Sequence, residues 1–194
     1  RKLLPGRYQV IALPSLEART VTYWEPTFQL DPYHTEEYFT EEVRRLLLDA
    51  VRLQMRSVLP VGPYLGRGMD SSLVTVLAAP HVGGRLQTFS GAFREGPEFD
   101  ELRYARDVVA LAGAEGHEVF PTEQEFCDLL PSLVWHMDEP TSDPALIMAY
   151  LVSRDARRDV TVLLSGVGGD ELLGGYRKYI AADVPMIRLT SKVP

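Results

Sequence analysis

Hydrophobic and polar positions along the 194-residue chain change period several times. Near the start, residues 8–12 and 20–24 are short runs rich in Tyr, Val, Ile, Thr and Trp, separated by Pro14 and Ser15. That pattern predicts a β-hairpin. Residues 25–34 contain two prolines and show no period, which marks a linker. From residue 35 to about residue 58, Phe39, Val43, Leu46, Leu47, Ala50 and Val51 recur at spacings of three and four. This is the apolar stripe of an amphipathic helix. Glu36, Glu37, Glu41 and Glu42 stand near its beginning, and Arg52 and Arg56 near its end, as the helix dipole favours.

After Pro60 the pattern alternates. Strands are predicted at residues 61–65, 86–93, 117–120 and 160–164. Helices are predicted at residues 71–79, 101–112, 123–136 and 145–157, with another beginning at Asp170. Short β-rich runs separated by helices of this length imply crossover connections and a parallel sheet, so the fold class is α/β. No internal repeat or low-complexity tract interrupts it.

Charge and composition remove some partners. The formal net charge is −7, which argues against a nucleic-acid or anionic-membrane surface. No apolar run approaches the roughly 18 residues of a membrane span. A local phosphate site stays open, because backbone amides bind anions without any net positive charge. The single cysteine, Cys127, excludes an internal disulfide and a Cys-rich metal cluster, and makes a reducing, cytoplasmic setting the default. Inside its helix and beside Phe126, Cys127 reads as a small buried hydrophobe. His34, His81, His117 and His136 lack metal-ligand spacing and read as surface or satisfied structural groups. Asp138, Glu139 and Asp143 fit either an active-site edge or a loop held by Pro140 and Pro144.

Two glycine loops carry the candidate chemistry. The first runs from strand 61–65 through Gly66-Arg67-Gly68-Met69-Asp70-Ser71-Ser72 into a helix. The second runs from strand 160–164 through Ser165-Gly166-Val167-Gly168-Gly169-Asp170-Glu171 and on to Gly174-Gly175-Tyr176. A strand, a glycine loop and a helix N-terminus together make an anion site. An Asp at such a place fits if a divalent cation bridges it to phosphate. There is no Gly-x4-Gly-Lys-Ser/Thr, so neither loop is a Walker A loop. Ser71 stands where a dinucleotide fold has its third glycine. Each loop taken alone is also explained as a capped turn, the first by Asp70 and Ser71.

The pair of loops resembles those of the glutamine-hydrolysing asparagine synthetase family. Its synthetase domain has a pyrophosphate loop of the form Ser-Gly-Gly-x-Asp-Ser-Ser. Its later loop has the form Ser-Gly-(Asp/Glu)-Gly-(Gly/Ser)-Asp-Glu, followed by Gly-Gly-Tyr. Other stretches are similar too: Leu86-Gln87-Thr88-Phe89-Ser90, Phe99-Asp100-Glu101, Trp135-His136-Met137-Asp138-Glu139-Pro140 and Tyr150-Leu151-Val152-Ser153-Arg154. The resemblance implies a Rossmann-like parallel sheet with helices on both faces, of the adenine nucleotide alpha hydrolase or ATP pyrophosphatase type, preceded by a short β-hairpin. Residues 1–24 would be the tail of a glutaminase-like domain, 25–34 a linker, 35–184 the synthetase domain, and 185–194 a truncated continuation.

The implied activity is that of a ligase of asparagine biosynthesis. ATP and Mg²⁺ would adenylate the side chain of aspartate, and ammonia from a glutaminase domain outside this chain would convert it to asparagine, releasing AMP and pyrophosphate. ATP would meet Leu65, Gly66, Gly68, Met69, Asp70, Ser71, Ser72, Gly91, Ser165 and Gly166. The substrate would meet Gly168, Gly169, Asp170 and Glu171. Asp70 and Asp170 would hold the metal and be the catalytic pair. No nucleic acid or membrane is implied, and a homodimer is compatible. Gly66 and Arg67 replace the family's Ser and Gly, and Val167 replaces an acid. Alternatives follow from these departures: a nucleotide-binding or interaction module with impaired chemistry, or a related lactam- or macrocycle-forming amide synthetase.

Overall fold

The computed structural model describes residues 2–27, 29–93, 102–138, 143 and 145–182. Phe99, Asp100, Glu101, Glu139, Pro140, Pro144 and the continuation at 185–194, all part of the expectations above, lie outside the described residues. The chain divides into two units, Arg1–Val43 and Arg44–Pro194.

The first unit contains the hairpin. Strand β1 (Arg7–Ile11) pairs antiparallel with β2 (Ala18–Thr22), Arg7 lying opposite Thr22 and Ile11 opposite Ala18. The connection closes through the Leu16 amide donating to the Ala12 carbonyl at 2.8 Å. Further on, the Thr35 hydroxyl accepts from the Tyr38 amide at 3.3 Å and so caps helix α1 (Glu36–Gln54). The division between the units falls inside α1.

The second unit holds the alternating part. In chain order it runs β3 (Val61–Pro63), α2 (Met69–Ala78), a 3₁₀ turn (Ala79–His81), β4 (Gln87–Gly91), α3 (Leu102–Ala112), β5 (Glu115–Val119), α4 (Glu123–His136), α5 (Ala145–Ala156), β6 (Val162–Leu164), α6 (Gly169–Leu173) and α7 (Arg177–Ala182). β3 pairs parallel with β6, and β4 parallel with β5. A parallel bridge between Tyr64 and Phe89 joins the pairs, and the Leu65 amide donates to the Phe89 carbonyl at 2.8 Å. The spatial order is therefore β5-β4-β3-β6. The chain steps outward from β3 to β5, then returns to the other side of β3, so the order reverses between β3 and β6. In open α/β sheets ligands bind at the carboxyl edge of such a reversal.

Side-chain alternation along β4 explains how helices cover both faces. Phe89 is fully buried with Val152, Ala156 and Val160, which places α5 on one face. Ser90 lies with Ala105 and Val109 of α3 on the other. Leu65 and Ala92 pack with Leu102 and Ala105 of α3, while Val51 of α1 meets Ala78, Leu86 and Leu164. The buried hydroxyls are satisfied, Thr75 donating to the Ser71 carbonyl at 2.8 Å and Thr88 to the Glu115 carbonyl at 3.2 Å. No helix among the described residues is long and apolar enough to cross a membrane.

Cys127 is a correction: its side chain is exposed, not buried. Helix α4 turns Leu133 and Leu129 inward with Phe126, and one residue further along rotates Cys127 away from that stripe. Phe89→Ala should cost about 3–5 kcal/mol, because it removes a large side chain from a filled site. Val58 is 100% exposed, so Val58→Ser should change stability by less than about 0.5 kcal/mol. Urea midpoints of the two variants would check the contrast, and equal shifts would contradict this packing.

Candidate functional site

Both glycine loops leave the carboxyl ends of adjacent strands. Leu164 of β6 stands beside Pro63 of β3, so Ser165 and Tyr64 leave the sheet at the same height. Between the loops lies a cavity of about 250 Å³. Nine expected residues line it: Gly66, Gly68, Asp70, Ser71, Ser165, Gly166, Gly168, Asp170 and Glu171. Tyr64, Val167 and Tyr176 line it as well. Asp70 and Asp170 thus face one crevice.

Leu65, Met69, Ser72, Gly91 and Gly169 are not on that lining. The Leu65 side chain is 1% exposed and turned under α3, although its neighbours Tyr64 and Gly66 both reach the cavity. Met69 is exposed to solvent. Gly91 serves packing, since a Cβ there would collide with Met148 and lie 2.9 Å from a Val152 methyl. Gly169 abuts the Asp70 carboxylate closely enough that a Cβ would strike it.

The first loop enters α2 without a side-chain cap. Gly68 is the N-cap residue and no side chain accepts from the first turn, so the expectation that Asp70 and Ser71 cap this turn is not met. The helix begins at Met69, two residues earlier than predicted, and takes both side chains into its first turn. Its leading amides therefore remain available to an anion. The serine hydroxyls are engaged within the loop. Ser71 Oγ accepts from the Gly66 amide at 3.2 Å and donates to the Gly68 carbonyl at 3.1 Å. Ser72 Oγ donates to the same carbonyl at 2.8 Å. A phosphate drawing on these hydroxyls has to displace those bonds. Arg67 does not have a positive φ, so its Cβ imposes no left-handed strain.

In the second loop Gly168 has φ 104° and Gly174 φ 72°, conformations that favour glycine at both ends of α6. The Ser165 hydroxyl accepts from the Val167 amide at 3.0 Å, and Val167 is 89% exposed at the open cavity. The Tyr176 hydroxyl donates to Glu171 Oε1 at 2.8 Å. That bond pushes the Tyr176 phenol up to about 12 and lowers Glu171 below the usual carboxylate range. Tyr64 is raised by burial. Tyr64 and Tyr176 were not among the expected lining. For Tyr176 the available signal was its place just after two glycines and five residues after Glu171.

Two carboxylates beside uncapped amides suit a hard divalent cation that draws its remaining oxygens from phosphates and water. Among the described residues no group of three or more His, Cys, Asp or Glu side chains could hold a metal alone, so an ion held by these two carboxylates would need substrate oxygens as further ligands. A larger cavity, about 330 Å³, opens at the opposite strand edge near Val61, Gln87 and Val160. Met55, His81 and Asp159 there follow the C-terminal ends of helices, where the dipole disfavours an anion.

Comparison with known proteins places the chain in a family. The sequence model described as asparagine synthase matches residues 42–190. Glutamine-hydrolyzing asparagine synthetase 1 of Bacillus subtilis is 39% identical over 180 residues, covering 92% of this chain and 28% of that protein. A putative asparagine synthetase of Mycobacterium tuberculosis is 37% identical over 182 residues, with the same coverages of 92% and 28%. A Penicillium rubens protein named amidase chyE is 27% identical over 197 residues, covering 93% of this chain and 29% of its own length. The chain spans under a third of the length of these relatives.

A Cβ on Gly166 would lie 2.5 Å from the Ser71 nitrogen and 2.8 Å from the Asp70 carbonyl carbon. Gly166→Ala should therefore lose about 1–3 kcal/mol, read by thermal or urea unfolding, and an unchanged midpoint would contradict the contact between the loops.

Tyr176 gives a second expectation. Its folded value lies above the ordinary 10.0, so the stability it adds is whole below pH 10 and is lost as pH rises through about 12. Glu171 has the opposite sign: its contribution is present above 4.5 and is lost as pH falls through its lowered folded value. Ultraviolet titration of the protein against Tyr176→Phe should place this phenol near 12, and Glu171→Gln should move it back toward 10.0.

Proposed function

Because the chain belongs to the asparagine synthase family, we propose that it is the nucleotide-binding part of a ligase that adenylates a carboxylate with ATP so that an amine can form an amide. The observation that carries this is the convergence of Asp70 and Asp170 on one cavity between two strand-glycine-helix loops. Its size suits a pyrophosphate group and an ion rather than a whole nucleotide, since pockets for small molecules run to roughly 300–1,000 Å³.

In the proposed reaction a side-chain oxygen of aspartate attacks the α-phosphorus of ATP. The bond from that phosphorus to the pyrophosphate oxygen breaks, and the acyl oxygen now belongs to a good leaving group. Ammonia then attacks the acyl carbon, loses a proton, and AMP departs with the shared oxygen, leaving asparagine. The chain's part is positioning and charge stabilisation. The amides of Gly66, Gly68 and Met69 bind the departing pyrophosphate, and the Ser71 and Ser72 hydroxyls turn to it from the Gly68 carbonyl. Leu65, Gly91, Ser165 and Gly166 border adenosine, Leu65 through its backbone because its side chain is in the core. Gly168, Gly169, Asp170 and Glu171 flank the acceptor. Asp70 and Asp170 would hold Mg²⁺, which neutralises charge on phosphate oxygens when bound.

The wider assignment is part of the same proposal. Residues 1–24 belong with a glutaminase-like domain that supplies ammonia, residues 25–34 link it, and residues 35–184 lie within the synthetase domain of a cytoplasmic protein. A second reading, a module that binds nucleotide without turnover, is favoured by Val167, which puts an exposed apolar side chain on the cavity wall.

Pyrophosphate release by the full-length protein separates the two. Release that requires both Mg-ATP and aspartate is expected, and Asp70→Asn or Asp170→Asn should slow it on the order of 10²-fold. ATP binding without release would favour the module. No protection from heat by Mg-ATP would sink both.

A further inference from the structure

The cavity of about 330 Å³ at the amino edge of the strands is larger than the cleft between the glycine loops, and the proposed reaction does not use it. Its lining includes three branched apolar side chains. Val61 opens β3, Val82 follows the 3₁₀ turn, and Val160, which is buried, comes just before β6. Two charged residues of opposite sign, Arg85 and Asp159, line it as well. Both are exposed, and neither side chain makes a hydrogen bond or ion pair with a described residue. Opposite charges pair elsewhere in this unit, Arg106 with Glu118 at 2.7 Å and Arg154 with Glu125 at 3.1 Å. Arg85 and Asp159 share a cavity without closing on one another. A gap between opposite charges matches a ligand that carries both charges itself.

The surroundings say which charge goes where. Helix α1 ends at Gln54 and α5 at Ala156, and Met55 and Asp159, which follow these ends, both line the cavity. A helix C-terminus carries about half a negative charge, so an ammonium is favoured beside Asp159. A carboxylate belongs at Arg85, whose planar fork of donors matches its two oxygens. Ser57, also on the lining, accepts from the Leu59 amide at 3.0 Å and keeps its own proton to donate. Gln87 is already engaged, its Nε2 donating to Glu115 Oε2 at 3.0 Å and its Oε1 meeting the His117 ring.

We infer that this cavity binds a free α-amino acid with an apolar side chain. Its ammonium meets Asp159 and the helix ends, its carboxylate meets Arg85 and Ser57, and its side chain lies against Val61, Val82 and Val160. The volume falls at the lower end of the roughly 300–1,000 Å³ of small-molecule pockets, which suits a ligand of that size. The site lies at the other strand edge from the glycine loops and does not rest on the nucleotide reading of the cleft.

Equilibrium dialysis of the full-length protein with L-leucine tests it. Leucine has no side-chain carboxylate, so it does not act as the acceptor proposed for the cleft. Saturable binding in the millimolar range is expected, because exposed charges contribute modestly. Arg85→Gln and Asp159→Asn should each weaken it by roughly tenfold, the value of one charge-assisted hydrogen bond. Arg85→Lys should recover part of the loss as a point charge. Asp170→Asn, in the cleft, should leave leucine within about twofold. On the unsubstituted protein, 3-methylbutylamine and 4-methylpentanoate each lack one of the two charged groups, and each should bind roughly tenfold more weakly than leucine. The proposal is overturned if leucine does not bind saturably, or if either analogue binds as tightly as leucine. It is equally overturned if Asp170→Asn abolishes leucine binding while Arg85→Gln and Asp159→Asn keep it.

Discussion

Gly166 lies against the first turn of α2 so closely that only a hydrogen fits where other residues carry a Cβ. A methyl carbon there would lie 2.5 Å from the Ser71 nitrogen. This contact fixes how near the two loops come, and with it the separation of Asp70 from Asp170. It depends in turn on β6 lying beside β3, with Val61 opposite Val162 and Pro63 opposite Leu164. The chain reaches that place by returning over the sheet through α5, whose Val152 and Ala156 bury Phe89 and Val160. Apolar burial on one face of the sheet is therefore what brings two acids together at its edge. At about 1.5–3 kcal/mol for each fully buried large side chain, that packing can hold like charges near one another.

Much of this was legible in the residues. The change from a period of about two to one of three and four marked the strands β3 to β6 and the helices α2 to α5, and the glycines with their acids marked the loops and the start of α6, but α7 and the 3₁₀ turn at Ala79–His81 carried no such signal. The offsets have physical causes. β5 begins at Glu115, two residues before the predicted start, because pairing with Gln87 extends the ladder across Glu115 and Gly116, which have no apolar signal of their own. α2 begins at Met69 because the backbone turns helical as soon as it leaves Gly68. Leu65 ends the predicted strand 61–65 beside a glycine loop, which in one dimension looks like a pocket wall, although β3 itself stops at Pro63. Alternation turns its side chain into the core under α3 instead. Tyr176 was hidden for the opposite reason: it reaches the cavity only after the chain reverses at Gly174, and no periodicity records a reversal.

The cleft has two unlike walls. On the side of β3 and α2 it presents uncapped backbone amides, the Ser71 hydroxyl and Asp70. On the side of β6 and α6 it presents Ser165, Val167, Asp170, the Tyr176 ring and the Glu171 carboxylate held by that ring's hydroxyl. Amides aligned with a helix dipole suit an anion, and two carboxylates beside apolar and aromatic side chains suit it less. If phosphates occupy the first wall, the acyl end of the reaction falls to the second. Against the family's motif, Arg67 gains a cation and Val167 loses a carboxylate. Both changes move the local charge in the same, positive direction, while Gly66 removes only a neutral hydroxyl. The cleft also loses one group that could have ordered an amine or a substrate ammonium near the second loop. Under the proposed reading, the loss of a carboxylate at Val167 therefore bears on how the acceptor is held at the second wall, while the uncapped amides of α2 on the first wall are unaffected by it.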